Sequence, residues 1–316
     1  MMEIITLDEG RADVVACVAT IGFFDGVHCG HRHLIRQVTE EARRRSLASL
    51  VVTFDRHPRQ VLDSGYCPQM LTTFAERIQL LSQTGVDRCV VLPFSRSMAA
   101  LTARDFMDGV LRKRLGVEVL VTGYDSRFGS GRSEGFADYV AYGRDMGMEV
   151  LRGEALSVGG VSVSSSVIRS LLSEGEVCMA ARCLGYPYML AGTVVAGEQI
   201  GRRIGFPTAN ICPDDEAQLI PAPGVYAVSV SLPSVSRQLG GMMNIGMRPT
   251  FGGRRMTLEV HIFNFSGDIY GQRMAVSFVS RLRGERKFRS GDELAAQLAE
   301  DEAAAKAAVL GVKNEE

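Results

Sequence analysis

Residues 17–31, CVATIGFFDGVHCGH, pass from an apolar strand to a helix with little connecting chain. CVATIGFF reads as the strand, and HLIRQVTEEARRRS (33–46) as the body of the helix. Between them Asp25-Gly26 predicts a sharp turn, with the helix beginning near His28. A helix N-terminus presents unpaired N–H groups and a partial positive charge, so it binds phosphate readily. Glycine at 22, 26 and 30 lets a phosphate approach the backbone. His28 and His31 are three apart and share one helical face. Two imidazoles there can donate hydrogen bonds to phosphate oxygens as charge builds in a transition state, without acting as a general base. The plainer alternative is a tight turn with a capping aspartate and two solvated histidines. The HxGH spacing directly after a buried strand favours the phosphate site.

The same rhythm continues outward. SLASLVVTF, DRCVVLPF and VEVLVTGY read as strands, and FAERIQLLSQTG and ARDFMDGVLRKRLG as helices. Near-continuous Val/Ile/Leu strands spaced by amphipathic helices imply a parallel sheet covered on both faces. Such sheets bind ligands beyond the carboxyl ends of their strands. Three polar segments fall at those ends: GFFDGVHCGH, TFDRHP and GYDSRFGSGR. Further on, Ser164, Ser165 and Ser166 precede a short helix carrying Arg169, which predicts serine caps and a second anion contact.

After about residue 185 short strands dominate: MLAGTVVAG, GVYAVSVSL, GGMMNIGM, MTLEVHIFNF and RMAVSFVSRL. They predict an antiparallel barrel or sandwich, closed by an Ala-rich helix from Asp292 to Leu310. LGYPYMLAG marks the boundary, so the expected domains are 1–185 and 186–316. In GEQIGRRIGFPTAN, Gly197, Gly201 and Gly205 permit close backbone approach, Arg202 and Arg203 supply charge, and Pro207 stiffens the turn. Thr208 and Asn210 bring the hard oxygen atoms that suit Mg²⁺. In TLEVHIF, alternation puts Leu258, Val260 and Ile262 on one face, and Glu259 with His261 on the other. From the residues alone Glu259 is a solvent-facing strand residue and His261 a structural one.

Composition narrows the class. The 316 residues are 46% hydrophobic and 22% charged, with a net charge of −1, as in an ordinary globular protein. Nothing points to bulk binding of nucleic acid or anionic membrane; RLRGERKFRS is basic but lacks interleaved aromatics. No apolar stretch approaches the roughly 20 residues of a membrane span, and the acidic N-terminus has no signal-peptide pattern. Seven scattered cysteines, none in a CxxC pair, predict reduced thiols in a cytoplasmic protein and no zinc site. Cys29, inside the opening motif, carries no pattern of a nucleophile. Oligomeric state is not indicated.

HxGH after the first strand, with a Ser-rich turn and Arg169 far downstream, resembles the nucleotidyltransferase superfamily. GFFDGVHCGH, TFDRHP, DSRFGSGR and SSSVIR are similar, in order and spacing, to the bacterial bifunctional riboflavin kinase/FAD synthetases. GRRIGFPTANI, PAPGVYAV, NIGMRPTFGG, LEVHIFNFSGDIYG and RLRGERKF extend the resemblance through the second half. It implies an α/β nucleotidyltransferase domain with a Rossmann-like parallel sheet. An all-β riboflavin-kinase-like antiparallel barrel with a C-terminal helix follows it. The implied chemistry is phosphorylation of riboflavin to FMN by ATP in the second domain, then adenylylation of FMN to FAD in the first. Gly22, Phe23, Asp25, Gly26, His28, His31, Ser165 and Arg169 would bind ATP for adenylylation, and Asp125, Arg127 and Phe128 would line the flavin side. For the kinase, Gly201, Arg202, Gly205, Pro207, Thr208, Asn210 and Asn244 would bind ATP, Thr208 and Asn210 holding Mg²⁺. Glu259 becomes the general base on the riboflavin hydroxyl, and Arg248, Arg283 and Arg286 flavin or phosphate contacts, in a segment that closes over the flavin in relatives. The terminal helix is expected to be a packed cap without functional groups. Arg56 stands where the family has proline, Ser126 where it has an aromatic, and Ser133-Glu134-Gly135 is one residue longer than the pattern. Two other readings compete with this one: a single-activity adenylyltransferase for another cofactor precursor, and a flavin-binding regulator without turnover.

Overall fold

The computed structural model describes residues 2–6, 15–63, 65, 67, 69–197, 201, 204–250 and 253–312. Internal contacts divide the chain into two units, 1–165 and 166–316.

The first unit is built on a six-stranded parallel sheet. Its strands are β1 (Glu3–Thr6), β2 (Cys17–Ile21), β3 (Ala48–Phe54), β4 (Arg88–Leu92), β5 (Val117–Thr122) and β6 (Glu149–Arg152), in the order β1-β4-β3-β2-β5-β6. From β2 the chain winds outward through β3 and β4, then crosses back to β5 on the other side of β2. The topological switch therefore lies at the carboxyl end of β2, where the opening motif begins. All five residues of β2 are buried, as a strand covered on both faces requires. Cys17, Ala19 and Ile21 pack with Phe106, Met107 and Leu111. Val18 packs on the opposite face against Leu34, Val38 and Ala42 of α1 (Cys29–Arg45). The other helices are α2 (Pro58–Leu62), α3 (Phe74–Ser82), α4 (Arg96–Ala100), α5 (Ala103–Asp105) and α6 (Phe136–Met146). The helix expected over 103–116 is instead α5 running into a π-helical segment, Phe106–Arg112. The edge strands β1 and β6, the helix α6 and a small hairpin of β7 (Ser157–Val158) with β8 (Val161–Ser162) are additions to the sequence reading.

The second unit opens with α7 (Ser165–Glu174), whose first residue belongs to the first unit, and α8 (Val177–Leu184). A closed antiparallel barrel follows, made of β9 (Met189–Val195), β10 (Ala209–Pro213), β11 (Gly224–Leu232), β12 (Val235–Thr250), β13 (Gly253–Ile262) and β14 (Arg273–Arg283), in the order β10-β13-β12-β11-β14-β9. Closure leaves no sheet edge unpaired. The barrel has one strand more than expected, since β10 begins within GFPTANI and runs on to Pro213. β12 is 16 residues long, not the short strand read in GGMMNIGM, because Gly240-Gly241 interrupts its apolar pattern without ending its pairing to β11 and β13. α9 (Gly291–Val312) seats Ala305 and Val309 against Ala227, Met242 and Phe263 of the barrel. No helix among the described residues is long and apolar enough to cross a membrane.

Candidate active sites

The loop leaving β2 is tightly held. Phe24, Gly26 and Val27 all have positive φ (56°, 78° and 34°), a conformation that costs free energy for the two side-chain-bearing residues and persists only when surrounding contacts enforce it. Asp25 supplies them. Its carboxylate, 3% exposed, accepts from the Leu71 and Thr72 N–H groups at 3.0 and 3.2 Å, while Gly26 N–H donates to the Thr72 hydroxyl at 3.1 Å. The single turn Asp25–Val27 hands the chain to α1 through His28, the N-cap residue.

His28 and His31 meet as the spacing predicts, but His28 is buried and His31 half-buried, so the pair is not solvated. Their rings stack at 3.6 Å between centroids, and His28 is 4% exposed. His28 Nδ1 accepts from the His31 N–H at 3.2 Å, so a neutral His28 carries its own N–H on Nε2. Gly30 leaves room for this arrangement: a β-carbon there would lie 3.2 Å from the His28 ring. Burial, and then the adjacent His28, hold the His31 imidazole well below its ordinary value of 6.5, and among the described residues its Nδ1 is buried without a hydrogen-bond partner. Because the folded value is depressed, the stability His31 contributes is complete above pH 6.5 and declines below it, where the unfolded chain takes up a proton that the fold refuses. The melting-temperature advantage of wild type over His31→Gln is therefore expected to shrink between about pH 7.5 and 5.5. A constant difference would contradict a neutral His31.

Ser165 Oγ donates to the Asp25 carbonyl at 3.0 Å, joining the start of α7 to the loop. Ser164 stands directly before α7, where a cap was expected, whereas Ser165 and Ser166 are the first two residues of the helix and Ser165 bonds the motif. Arg169 follows in the same helix, in the second unit. Beyond the ends of β2 and β3 opens a cavity of about 540 Å³. Its wall is largely apolar and includes Gly22, Phe23, Phe54, Leu101, Phe106, Arg127 and Phe128. Gly22 and Phe23, expected at the nucleotide, thus face this apolar space. Asp125, expected beside Arg127, is exposed and outside the lining; a turn closed by Ser126 N–H to the Gly123 carbonyl carries it outward. Arg56 also misses the cavity, pairing with Asp55 at 3.0 Å. Phe54, Phe94 and Phe106 were not singled out in the sequence. Their signal was positional for Phe54 and Phe94, which stand at or just beyond the carboxyl ends of strands.

In the barrel, register gathers a polar row. Asn210 on β10 pairs with Glu259 on β13, which pairs in turn with Asn244 on β12. The predicted alternation holds: Leu258, Val260 and Ile262 are buried in the core, while Glu259 and His261 face a separate cavity of about 310 Å³. Gly201, Thr208, Asn244, Arg283 and Arg286 also line it. The Thr208 hydroxyl lies 3.5 Å from the Glu259 carboxylate, and His261 Nδ1 lies 2.8 Å from the Pro207 carbonyl. Thr208 and Pro207 reach a second cavity of about 570 Å³, bordered by Phe265, Asp268 and Tyr270. Gly205 takes the left-handed conformation, φ 87°, in this turn. Asn210 lines neither cavity; its carboxamide packs against Gly197.

Both arginines in the smaller cavity are already engaged by α9. Arg283 forms a fork with the buried Asp301 at 2.7–3.1 Å, and Arg286 bonds Gln297 and Glu293. Leu294 and Leu298 complete the wall. The terminal helix packs on the barrel as expected and also lines this cavity. The expected contacts Arg202 and the Arg248 side chain lie outside the described residues, as does Arg203.

Comparison with known proteins agrees with this division. The FAD synthetase family matches residues 11–167, and the riboflavin kinase family matches residues 184–309. The bifunctional riboflavin kinase/FMN adenylyltransferase of Escherichia coli K12 is 40% identical over 296 residues, 94% of each chain. The enzyme of the same name from Listeria monocytogenes is 37% identical over 288 residues, 90% of each chain. A solved structure named as a macrolide-efflux protein from Streptococcus pneumoniae superposes with a TM-score of 0.87 at 33% identity, covering 96% of this chain and 99% of that one. The chain belongs to the bifunctional riboflavin kinase/FMN adenylyltransferase family.

Proposed function

We propose that residues 186–316 phosphorylate riboflavin to FMN and residues 1–185 adenylylate that FMN to FAD, with the side chains acting as follows. The stacked pair of buried His28 and half-buried His31 at the head of α1 carries the reading of the first reaction. There an FMN phosphate oxygen attacks the α-phosphorus of ATP, a new P–O bond forms, and pyrophosphate leaves. Phosphate is already a competent nucleophile at neutral pH, so placement and charge stabilisation supply the catalysis. His28 Nε2–H, with the loop N–H groups, meets the charge that grows on the phosphates. The apolar cavity behind Phe23 accepts the isoalloxazine ring, and Ser165 holds the triphosphate.

For the kinase, Glu259 is the residue that accepts the proton of the riboflavin 5′-hydroxyl as the oxygen attacks the γ-phosphorus and ADP departs. The flavin takes the cavity walled by Phe288, Leu294 and Leu298, and ATP takes the neighbouring one, since Thr208 borders both. Among the described residues no group of three or more His, Cys, Asp or Glu could hold a metal. The Thr208 hydroxyl beside Glu259 nevertheless offers an oxygen that fits Mg²⁺, which enters such sites on substrate phosphates with few protein ligands; Asn210, turned to Gly197, would have to reorient to join it. When bound, the ion would neutralise phosphate charge.

Chromatography of products after mixing protein, riboflavin, ATP and Mg²⁺ tests the pair of reactions. FMN followed by FAD is expected. FMN alone would contradict the role of the first unit, and neither product would favour a flavin-binding regulator.

A further inference from the structure

Arg77, on α3, is the most deeply buried charged side chain among the described residues, 1% exposed. Burying a guanidinium is costly, and apolar residues of similar size commonly replace such groups with no loss of stability. Its contacts show what it does. Nη2 donates to the Phe54 carbonyl at 2.7 Å, and the guanidinium plane lies over the Phe23 ring, 4.0 Å from its centroid. His57 closes on the same ring edge-on at 4.9 Å. Phe23 and Phe54 both line the 540 Å³ cavity, whereas Arg77 does not. Phe23 also lies between Gly22 and the strained turn that begins at Phe24, so its orientation sets where the loop enters the cavity.

Two further observations bear on why a charge sits here. Among the described residues Arg77 Nε is buried without a hydrogen-bond partner, so the side chain is not retained for complete satisfaction of its donors. Burial pulls its pKa down to about 10, against the pull of Asp25 and Asp55 in the other direction, so it remains charged at neutral pH. A charged plane held against an aromatic face gains a cation–π attraction that a methionine would lack.

We propose that Arg77 is a positioning residue for FMN adenylylation: from behind the wall it fixes the Phe23 ring and the Phe54 carbonyl against which the flavin lies. This rests on the assignment of the cavity to the flavin. Arg77 touches neither substrate, and acts on FMN binding rather than on the ATP phosphates.

The test uses the full chain with Arg77→Met, Arg77→Lys and Phe128→Ala, measuring adenylylation against FMN and ATP separately, with a melting curve for each variant. Arg77→Met is expected to raise KM for FMN about tenfold while KM for ATP stays within about twofold. Arg77→Lys, which keeps the charge but not the plane, should raise KM for FMN by a smaller factor. Unchanged constants, or equal rises for both substrates, would overturn the proposal. Should Arg77→Met fail to fold, Arg77→Lys decides by the same criteria. Phe128→Ala separates the two assumptions: a rise in its KM for FMN without one in either Arg77 variant defeats the role of Arg77 alone. An unchanged KM for FMN in Phe128→Ala defeats the flavin assignment and the proposal with it.

Discussion

Glu259→Gln is expected to lower riboflavin phosphorylation by about 10²–10⁴-fold, the range of a positioned general base, while adenylylation of supplied FMN stays near wild type. The substitution is nearly isosteric, and Glu259 sits mid-strand between Asn210 and Asn244, so the barrel should keep its register. What is lost is an acceptor for the hydroxyl proton, placed 3.5 Å from Thr208. An aliphatic hydroxyl is a poor nucleophile, and this explains why the kinase should depend on one carboxylate so strongly. Initial rates of FMN formation and of FAD formation from FMN measure the two effects separately. Loss of both would contradict independent sites, and retention of kinase activity would remove Glu259 from its role.

His28→Ala has the complementary expectation. Removing one donor aimed at developing charge costs about 10²–10³-fold in related chemistry, and His28 also caps α1 and stacks on His31. Adenylylation should fall by at least that factor, with riboflavin phosphorylation unchanged. His28→Gln is the more telling companion, since it keeps a donor without the stacked ring. An unchanged adenylylation rate in a folded His28→Ala protein would remove the histidine from the site.

The corner at 22–31 and the row at 258–262 were legible because each is local: one a strand running directly into a helix, the other an alternation along one strand. The cavities were not. Phe54, Phe94 and Phe106 meet across three separate segments, and no periodicity joins them. The edge strands escaped for a related reason. β1 is four residues with a largely exposed pattern, β6 is equally short, and both owe their existence to parallel pairing with strands far away in sequence. Arg77 shows the limit most clearly. FAERIQLL reads as an amphipathic helix, and such a pattern gives no reason to bury its arginine; only the approach of Phe23 and Phe54 does. The serines before Arg169 were read as caps from local chemistry, whereas the bond that defines Ser165 spans 140 residues to the Asp25 carbonyl.

The strained loop and the buried network beneath it belong to one design. Three consecutive-region positive φ angles are held by hydrogen bonds to a single carboxylate and a single threonine hydroxyl, which leaves the histidine pair preorganised before substrate arrives. The barrel site relies instead on strand register, with its polar row delivered by antiparallel pairing and closed by α9.

Mixing the two disabled proteins is the most direct measurement of whether two self-sufficient active sites share this chain. Neither Glu259→Gln nor His28→Ala alone should form FAD from riboflavin, ATP and Mg²⁺ at more than a small fraction of the wild-type rate. Together they should form it readily, one supplying FMN and the other consuming it. FMN accumulating in the mixture without FAD, although the Glu259→Gln protein adenylylates FMN added directly, would contradict that account.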